Sequence, residues 1–211
     1  MKKKLALLFA ATFAIAATSI AQTTFGVRAG VNFQNINGKD YDGSDLDNKL
    51  KVGFNIGANA EIPVAPEFYL QPGILFTTKG AKFSNDSKLN ISYLEIPVNF
   101  LYKGALGSGK LLLGVGPYIA FGLGGKVKGD NYSRDLKFKN EVTLTEFAAN
   151  PSVKRIDAGG NLLAGYEFSN KLSFQLNAQL GMLKINSKIT NPNMDGKYRN
   201  TGFGISAGYR F

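Results

Sequence analysis

The chain has 211 residues, carries 25 Lys and Arg against 15 Asp and Glu for a net charge of +10, and contains no cysteine, histidine or tryptophan. Without cysteine there is no disulfide framework, thiolate metal site or lipid-modified cysteine, and without histidine the usual general base, the commonest metal ligand and every Ser-His-Asp or Cys-His arrangement are excluded. No catalytic residue, metal site or cofactor is therefore expected, and basic residues scattered without a helix-turn-helix or zinc-finger pattern point away from nucleic acid.

At the start, Lys2, Lys3 and Lys4 precede an apolar run, Leu5 to Ala17, that is too short to span a bilayer as a helix, and Ser19-Ile20-Ala21 is a small-x-small cleavage signal. Residues 1–21 are expected to be a cleaved signal peptide, leaving 22–211 as one mature domain of 190 residues with charge +7. From there the periodicity is two. Phe25, Val27, Ala29, Val31 and Phe33 alternate with Gly26, Arg28, Gly30, Asn32 and Gln34, which predicts a strand between two different environments.

A second strand runs from about Val52 to Ile62, with Phe54, Ile56, Ala58 and Ala60 opposite Asn55, Gly57, Asn59 and Glu61. The third sets Leu70, Ile74 and Phe76 against Gln71, Gly73 and Thr77, and the fourth Leu94, Ile96, Val98, Phe100 and Tyr102 against Tyr93, Glu95 and Asn99. The fifth sets Leu111, Leu113, Val115, Ile119 and Phe121 against Gly114, Gly116 and Tyr118; Pro97 and Pro117 are unusual inside strands. The sixth carries Ile156, Ala158, Leu162, Ala164 and Tyr166 beside Asp157, Asn161 and Gly165, and the seventh alternates from Leu172 to Met182. The eighth sets Phe203, Ile205, Ala207, Tyr209 and Phe211 against Gly202, Gly204, Ser206, Gly208 and Arg210.

Connection lengths alternate. Pro63 to Glu67, Lys103 to Gly109 and Ser169 to Asn170 are short, whereas Asn35 to Lys51, Gly80 to Asn90, Leu123 to Lys154 and Asn186 to Asn200 are long. The pattern predicts an all-β fold: an eight-stranded antiparallel up-and-down transmembrane β-barrel with short periplasmic turns, long extracellular loops and both termini at the periplasmic rim. The alternative is a soluble lipocalin-like periplasmic binding barrel, which turns its apolar face inward around a ligand. The opposite face here is rich in Gly, Asn, Gln and Ser, which suits a narrow polar lumen better than a soluble exterior. In a bilayer the eighth strand must pair with the first, since open edges leave N–H and C=O groups unsatisfied. Aromatic residues near strand ends, including Phe33, Phe68, Phe76, Tyr102, Phe121, Tyr166, Phe168 and Phe211, suit interfacial girdles.

These residues carry a resemblance. The opening Phe25-Gly26-Val27-Arg28-Ala29-Gly30-Val31-Asn32, the segment Tyr93-Leu94-Glu95-Ile96-Pro97-Val98, the stretch Gly165-Tyr166-Glu167-Phe168-Ser169 and the ending Gly208-Tyr209-Arg210-Phe211 resemble the outer-membrane β-barrel domain family widespread in Bacteroidetes, often described as PorT-like. The resemblance implies residence in the bacterial outer membrane, an accessory role in protein secretion as one functional alternative, and a role for the terminal Phe211 as the signal read by the barrel assembly machinery.

Candidate sites are few. Arg28, Glu61 and Arg210 all fall on the inward face near the periplasmic end, where Glu61 is expected to bridge both arginines in a charge network that plugs the lumen. Eight strands leave an interior only wide enough for side chains, so no conduction is expected. Asp40, Asp42, Asp45 and Asp47 cluster in the first long loop without EF-hand spacing, and read as a solvated loop beside Lys39, Lys49 and Lys51. The third long loop carries Lys126, Lys128, Arg134, Lys137 and Lys139, followed by Val142, Leu144 and Phe147. Two readings of it stand: recognition, including lipopolysaccharide phosphates at the outer leaflet, or an ordered extension of the hairpin above the membrane. The glycines of Gly104 to Lys110 and of Gly122 to Gly125 lack a full phosphate-loop pattern and read as turn or close-packing residues. The expected function is that of a small non-enzymatic outer-membrane barrel, in contact with membrane lipid and with a structural or partner-binding role through its extracellular loops.

Overall fold

A computed structural model of the chain describes residues 22–84, 86–190 and 196–211. The expected signal peptide, 1–21, lies outside the described residues.

Eight long strands form the body: β1 (Thr24–Lys39), β2 (Lys51–Ala65), β3 (Phe68–Lys82), β4 (Lys88–Leu106), β5 (Gly109–Lys128), β6 (Ile156–Glu167), β7 (Leu172–Gly181) and β8 (Lys197–Arg210). Each pairs antiparallel with its sequence neighbour, and β8 pairs with β1 from Gly26↔Arg210 to Lys39↔Lys197, closing an eight-stranded barrel. The fold is thus the one that period-two alternation and alternating loop lengths predict. Closure leaves no edge, so the backbone groups of every strand find partners within the wall.

The prolines are accommodated by gaps. The β3–β4 ladder lapses between Pro72↔Val98 and Leu75↔Glu95, and the β4–β5 ladder between Pro97↔Tyr118 and Phe100↔Val115, where the rings of Pro97 and Pro117 have no N–H to give. The short turns use left-handed residues: Glu67 (φ 65°), Gly107 (φ 61°) and Lys171 (φ 68°), one in each. Near the opposite end, Gly38 (φ 136°) and Gly80 (φ 137°) occupy backbone that side chains avoid, and a Cβ at either would run into the carbonyl of Lys197 or Leu89 on the neighbouring strand.

Burial follows the alternation. Outward residues such as Phe25, Val31, Ile56, Ile74, Val115, Leu162, Leu176 and Ile205 are exposed, while inward Arg28, Asn32, Glu61, Gln71, Lys79, Glu95, Asn99, Asp157 and Asn161 are buried. A contiguous exposed apolar belt of this size matches lipid rather than water. The lipocalin-like alternative needs the reverse, an apolar interior, and through the belt the interior is mainly polar, with Leu75 and a small cluster of Leu101, Leu112 and Leu163 as its apolar members. Aromatic residues mark the two edges. Near the short turns Phe68 stacks on Phe100, Phe168 meets Tyr166 and Phe174 edge-on, and Tyr209 meets Phe211; at the other edge Phe33 stacks on Phe203 and Phe54 lies against Phe76. Phe25 and Phe33 stand eight residues apart on β1, roughly 27 Å along the strand and about 21 Å along the axis at a typical 40° tilt, close to the height of an outer-membrane apolar band.

The strands do not stop there. β4 and β5 are 19 and 20 residues long, twice what a tilted span requires. Beyond Phe33, Phe76, Leu94 and Phe203 the outward positions turn polar at Asn35, Thr78, Ser92 and Thr201. Meanwhile the inward positions Ile36, Ala81, Leu89, Ile91, Tyr93, Tyr118 and Ala120 form an apolar cluster. The two faces exchange character at one level of the barrel.

Candidate functional site: a filled lumen beneath a folded cap

At the short-turn end, Glu61 of β2 accepts from Arg210 Nη2 at 2.5 Å and from Lys103 Nζ at 2.8 Å. Lys103 also reaches Glu167 Oε2 at 2.8 Å, and its ammonium stands over the Tyr69 ring. Gln71 Nε2 donates to Glu61, Asn99 Nδ2 to Gln71, and Asn161 Nδ2 to Asn99, so an amide chain crosses the interior from β2 to β6. Two carboxylates therefore face two cations, and the hydrogen bonds lower the desolvation cost that buried ions otherwise carry.

Arg28 is not part of this group. It points inward, but its Nη1 donates to Asn177 Oδ1 at 3.3 Å, and Asn177 in turn donates to Ser206. The reason is register: Glu61 stands opposite Thr24, whereas Arg28 stands opposite Gly57, four residues further along, or roughly 13 Å. The expectation that Glu61 bridges two arginines is corrected accordingly. Its second cation is Lys103, a residue that sequence reasoning had placed in a turn.

A second charged group sits deeper. Lys79 Nζ lies 2.8 Å from Glu95 Oε2 and 3.2 Å from Asp157 Oδ2, with all three side chains buried. Gln179 donates to Glu95, while Tyr118 and Asn200 donate to Asp157, and the Lys79 ammonium rests 4.0 Å from the centre of the Tyr118 ring. The inward positions named for the third strand stop at Thr77, one short of Lys79. The signal was present, because Lys79 continues the inward parity of Gln71 and Thr77.

Between these groups the interior space bounded by Arg28, Asn32, Asn55, Thr77, Glu95 and Asn161 measures about 30 Å³, room for one water. Concavities of substrate size, about 620 and 640 Å³, open instead on the outer wall.

Above the lumen the long loops fold into one body. After β5 the chain turns at Gly129 and adds Ser133–Asp135 as an antiparallel partner to the end of β5. Lys137–Phe138 then runs parallel to Ser152–Val153, and Glu141–Val142 parallel to Lys188–Ile189 from the last long loop. The 123–154 loop is ordered by these pairings. Leu136, Val153 and Ile185 drop onto the apolar cluster in the barrel mouth and close it. A second cluster joins Tyr41 of the first loop to Val142 and Ile189, with Phe147 and Tyr198 packed against it. Tyr41 donates to the Ser187 carbonyl and Tyr198 to Asp40, which ties the first long loop to the last, and Val142 brings in the third through the same cluster.

Short helix α1 (Leu144–Ala149) carries a capping box in which Thr143 accepts from the Glu146 backbone and Glu146 accepts from that of Thr143. Its Lys139 partner, at 2.7 Å, and the Thr143 donors hold the Glu146 carboxyl down at about 2. The four aspartates of the first loop take separate roles: Asp42 accepts from Ser44, Asp45 faces Lys39, Asp40 accepts from Tyr198, and the Asp47 backbone carbonyl accepts from Ser84. Among the described residues no group of three or more carboxylates gathers as a metal site. Phe211, the remaining sequence candidate, is exposed at the foot of the β1–β8 seam, its N–H donating to the Phe25 carbonyl.

Residues 20–186 match the family described as outer membrane protein beta-barrel domain, a span that covers β1 to β7. Comparison by sequence with curated proteins gives no match. Among solved structures, neisserial surface protein A is similar with a TM-score of 0.50 and 10% identity over 89% of this chain and 97% of that one. OprG from Pseudomonas aeruginosa follows with a TM-score of 0.44 and 12% identity over 89% and 95%. Ail of Yersinia pestis, solved with the heparin analogue sucrose octasulfate, has a TM-score of 0.43 and 16% identity over 90% and 99%. At such identities the likeness is one of fold.

Proposed function

The chain belongs to the outer-membrane β-barrel domain family, and from that premise we propose that it is a non-conducting, non-enzymatic surface protein whose barrel anchors a folded cap that meets an acidic partner outside the cell. The observation that carries this reading is the division of charge. Below the rim the buried cations Arg28, Lys79, Lys103 and Arg210 are matched in number by Glu61, Glu95, Asp157 and Glu167, and the fifth buried cation, Lys51, lies at the rim itself. The segments 39–51, 82–88, 126–155 and 184–199 hold sixteen Lys and Arg against ten Asp and Glu. The excess positive charge is thus concentrated at the long-loop rim, where it steers anionic partners.

Planar bilayers and a polyanion probe test the two halves of the proposal. The purified protein is expected to give no steady conductance, and to retain dextran sulfate in proteoliposomes unless residues 129–154 are replaced by a short turn. Steady conductance would remove the plugged-lumen reading; equal retention by the shortened barrel would remove the cap as a recognition surface. An accessory role in secretion, implied by the PorT-like resemblance, predicts co-purification with other secretion subunits, and no feature of the barrel favours it. For Phe211 we propose recognition by the barrel assembly machinery, a reading supported by its exposed ring at the foot of the β1–β8 seam and checked by the yield of assembled barrel on removing it.

A further inference from the structure

On the outer wall, β2 to β5 differ from the rest of the rim. A concavity of about 640 Å³ lies there between Val52 and Phe54 on one side and Lys126 and Lys128 on the other, with Thr78, Asn90 and Ser92 among its lining residues. Its lower part continues the apolar belt through Val52 and Phe54, and its upper part is small and polar. Above it the register lines up lysines on adjacent strands: Lys49 opposite Lys82, Lys82 opposite Lys88, and Lys88 opposite Lys128. Lys126 stands opposite Asn90, and Lys51 belongs to the same wall.

Like charges placed directly opposite across strands repel and destabilise a sheet. Two carboxylates offset part of that repulsion, Asp86 at 2.5 Å from Lys82 and Asp135 at 3.5 Å from Lys126. Lys49, Lys82, Lys88, Lys126 and Lys128 against two aspartates leave a strongly cationic arc at the upper edge of the apolar belt, with the buried Lys51 behind it. Lysine stems can lie along apolar surface while their ammonium groups gather in the polar layer above it.

We propose that this groove holds the phosphorylated head group of an anionic lipid of the outer leaflet, with phosphate on the lysine arc and an acyl chain along Val52 and Phe54. The occupant is a membrane lipid rather than a free anion because the groove opens sideways onto the lipid-facing wall and is continuous with it. The inference rests on the barrel standing in the outer membrane, and is independent of any partner of the cap.

The test is native mass spectrometry of the full mature protein in non-ionic detergent, with diphosphorylated lipid A and with the same lipid stripped of phosphate. The wild-type barrel is expected to retain the phosphorylated lipid and lose the stripped one. The variant K49Q/K88Q/K126Q/K128Q is expected to bind about fivefold more weakly for each lysine removed. The variant K137Q/K154Q/K188Q/K197Q, which removes equal charge from elsewhere on the rim, is expected to bind as the wild type does. Equal retention of both lipids, equal loss in both variants, or displacement by millimolar inorganic phosphate would each overturn the proposal. Heat-dependent gel mobility checks that each variant is a closed barrel. Should the first variant fail to fold, salt titration of the wild type decides: retention must fall with sodium chloride, and salt-independent retention overturns the lysine–phosphate contact.

Discussion

The barrel is built twice over from the same strands, with opposite rules. Between the aromatic edges Val31, Ile56 and Ile205 face outward and Asn32, Glu95 and Asp157 inward; above them Asn35, Ser92 and Lys126 face outward and Ile36, Leu89 and Ile91 inward. The backbone pairing is continuous across the change on the β1–β8 seam, from Val31↔Ile205 to Lys39↔Lys197, and on the β4–β5 hairpin it passes through one bulge, between Ser92 and Tyr93. The solvent outside therefore decides which face of a strand is apolar. In lipid the apolar side chains go outward and polar groups must satisfy one another inside; in water the wall reverts to an ordinary buried core, and the cap loops supply its lid through Leu136, Val153 and Ile185.

Removing a buried charge at the level where the two faces exchange is the strongest way to break this contrast. Lys79→Ala leaves Glu95 and Asp157 buried without their cation and is expected to cost about 3 to 5 kcal/mol, seen as loss of the heat-resistant folded band on gels. The combined Lys79→Met, Glu95→Gln and Asp157→Asn variant is expected to recover most of that band. If Lys79→Ala alone folds as well as the wild type, the buried triad does not matter to the barrel.

Next comes a charge on the outward face at two heights. Ile205→Arg, in the middle of the belt, is expected to destabilise by roughly 2 to 4 kcal/mol, whereas Asn35→Arg, above the upper edge, should cost at most about 1. Equal costs in urea unfolding from vesicles would place the membrane boundary elsewhere. A smaller effect is expected in the upper core, where Ile185→Ala should loosen the cap by about 2 to 3 kcal/mol. Limited proteolysis should then cut the 129–154 segment while the barrel keeps its gel shift.

Two last tests concern local geometry. Lys171→Gly relieves a left-handed residue in a short turn and is expected to stabilise the barrel by about 0.5 to 1 kcal/mol, read as a higher urea midpoint. In the cap, the Glu146 carboxyl is held at about 2, below its ordinary 4.5. Its support for α1 is therefore complete above pH 4.5 and drains away as pH falls toward 2. The protection factor of the Phe147 amide, its exchange rate taken relative to an unstructured peptide at the same pH, should fall over that window in the wild type and stay level in Glu146→Gln.

The alternation from Phe25 to Gln34 and from Gly202 to Phe211 made strand number, facing and barrel closure readable from residues alone, because period two is a local property of an extended chain. The upper half was harder to read. Ile36, Leu89 and Ile91 keep the inward parity of their strands but are apolar where lower inward residues are polar, so strands judged by an outward apolar face end too early at Phe33, Phe76 and Phe121. Lys79 lies unnamed between Thr77 and the connection that begins at Gly80, and Lys103 falls in the short connection Lys103 to Gly109, at the other end of the barrel.

The sequence by itself determined that eight alternating strands with long and short loops in turn must close, and that Arg28, Glu61 and Arg210 point inward, since facing depends only on parity along each strand. Which charges meet was decided by the tertiary structure alone. Pairing depends on the stagger between strands distant in sequence, and that stagger puts Lys103 beside Glu61, sends Arg28 to Asn177, and brings Lys79, Glu95 and Asp157 from three strands to one point.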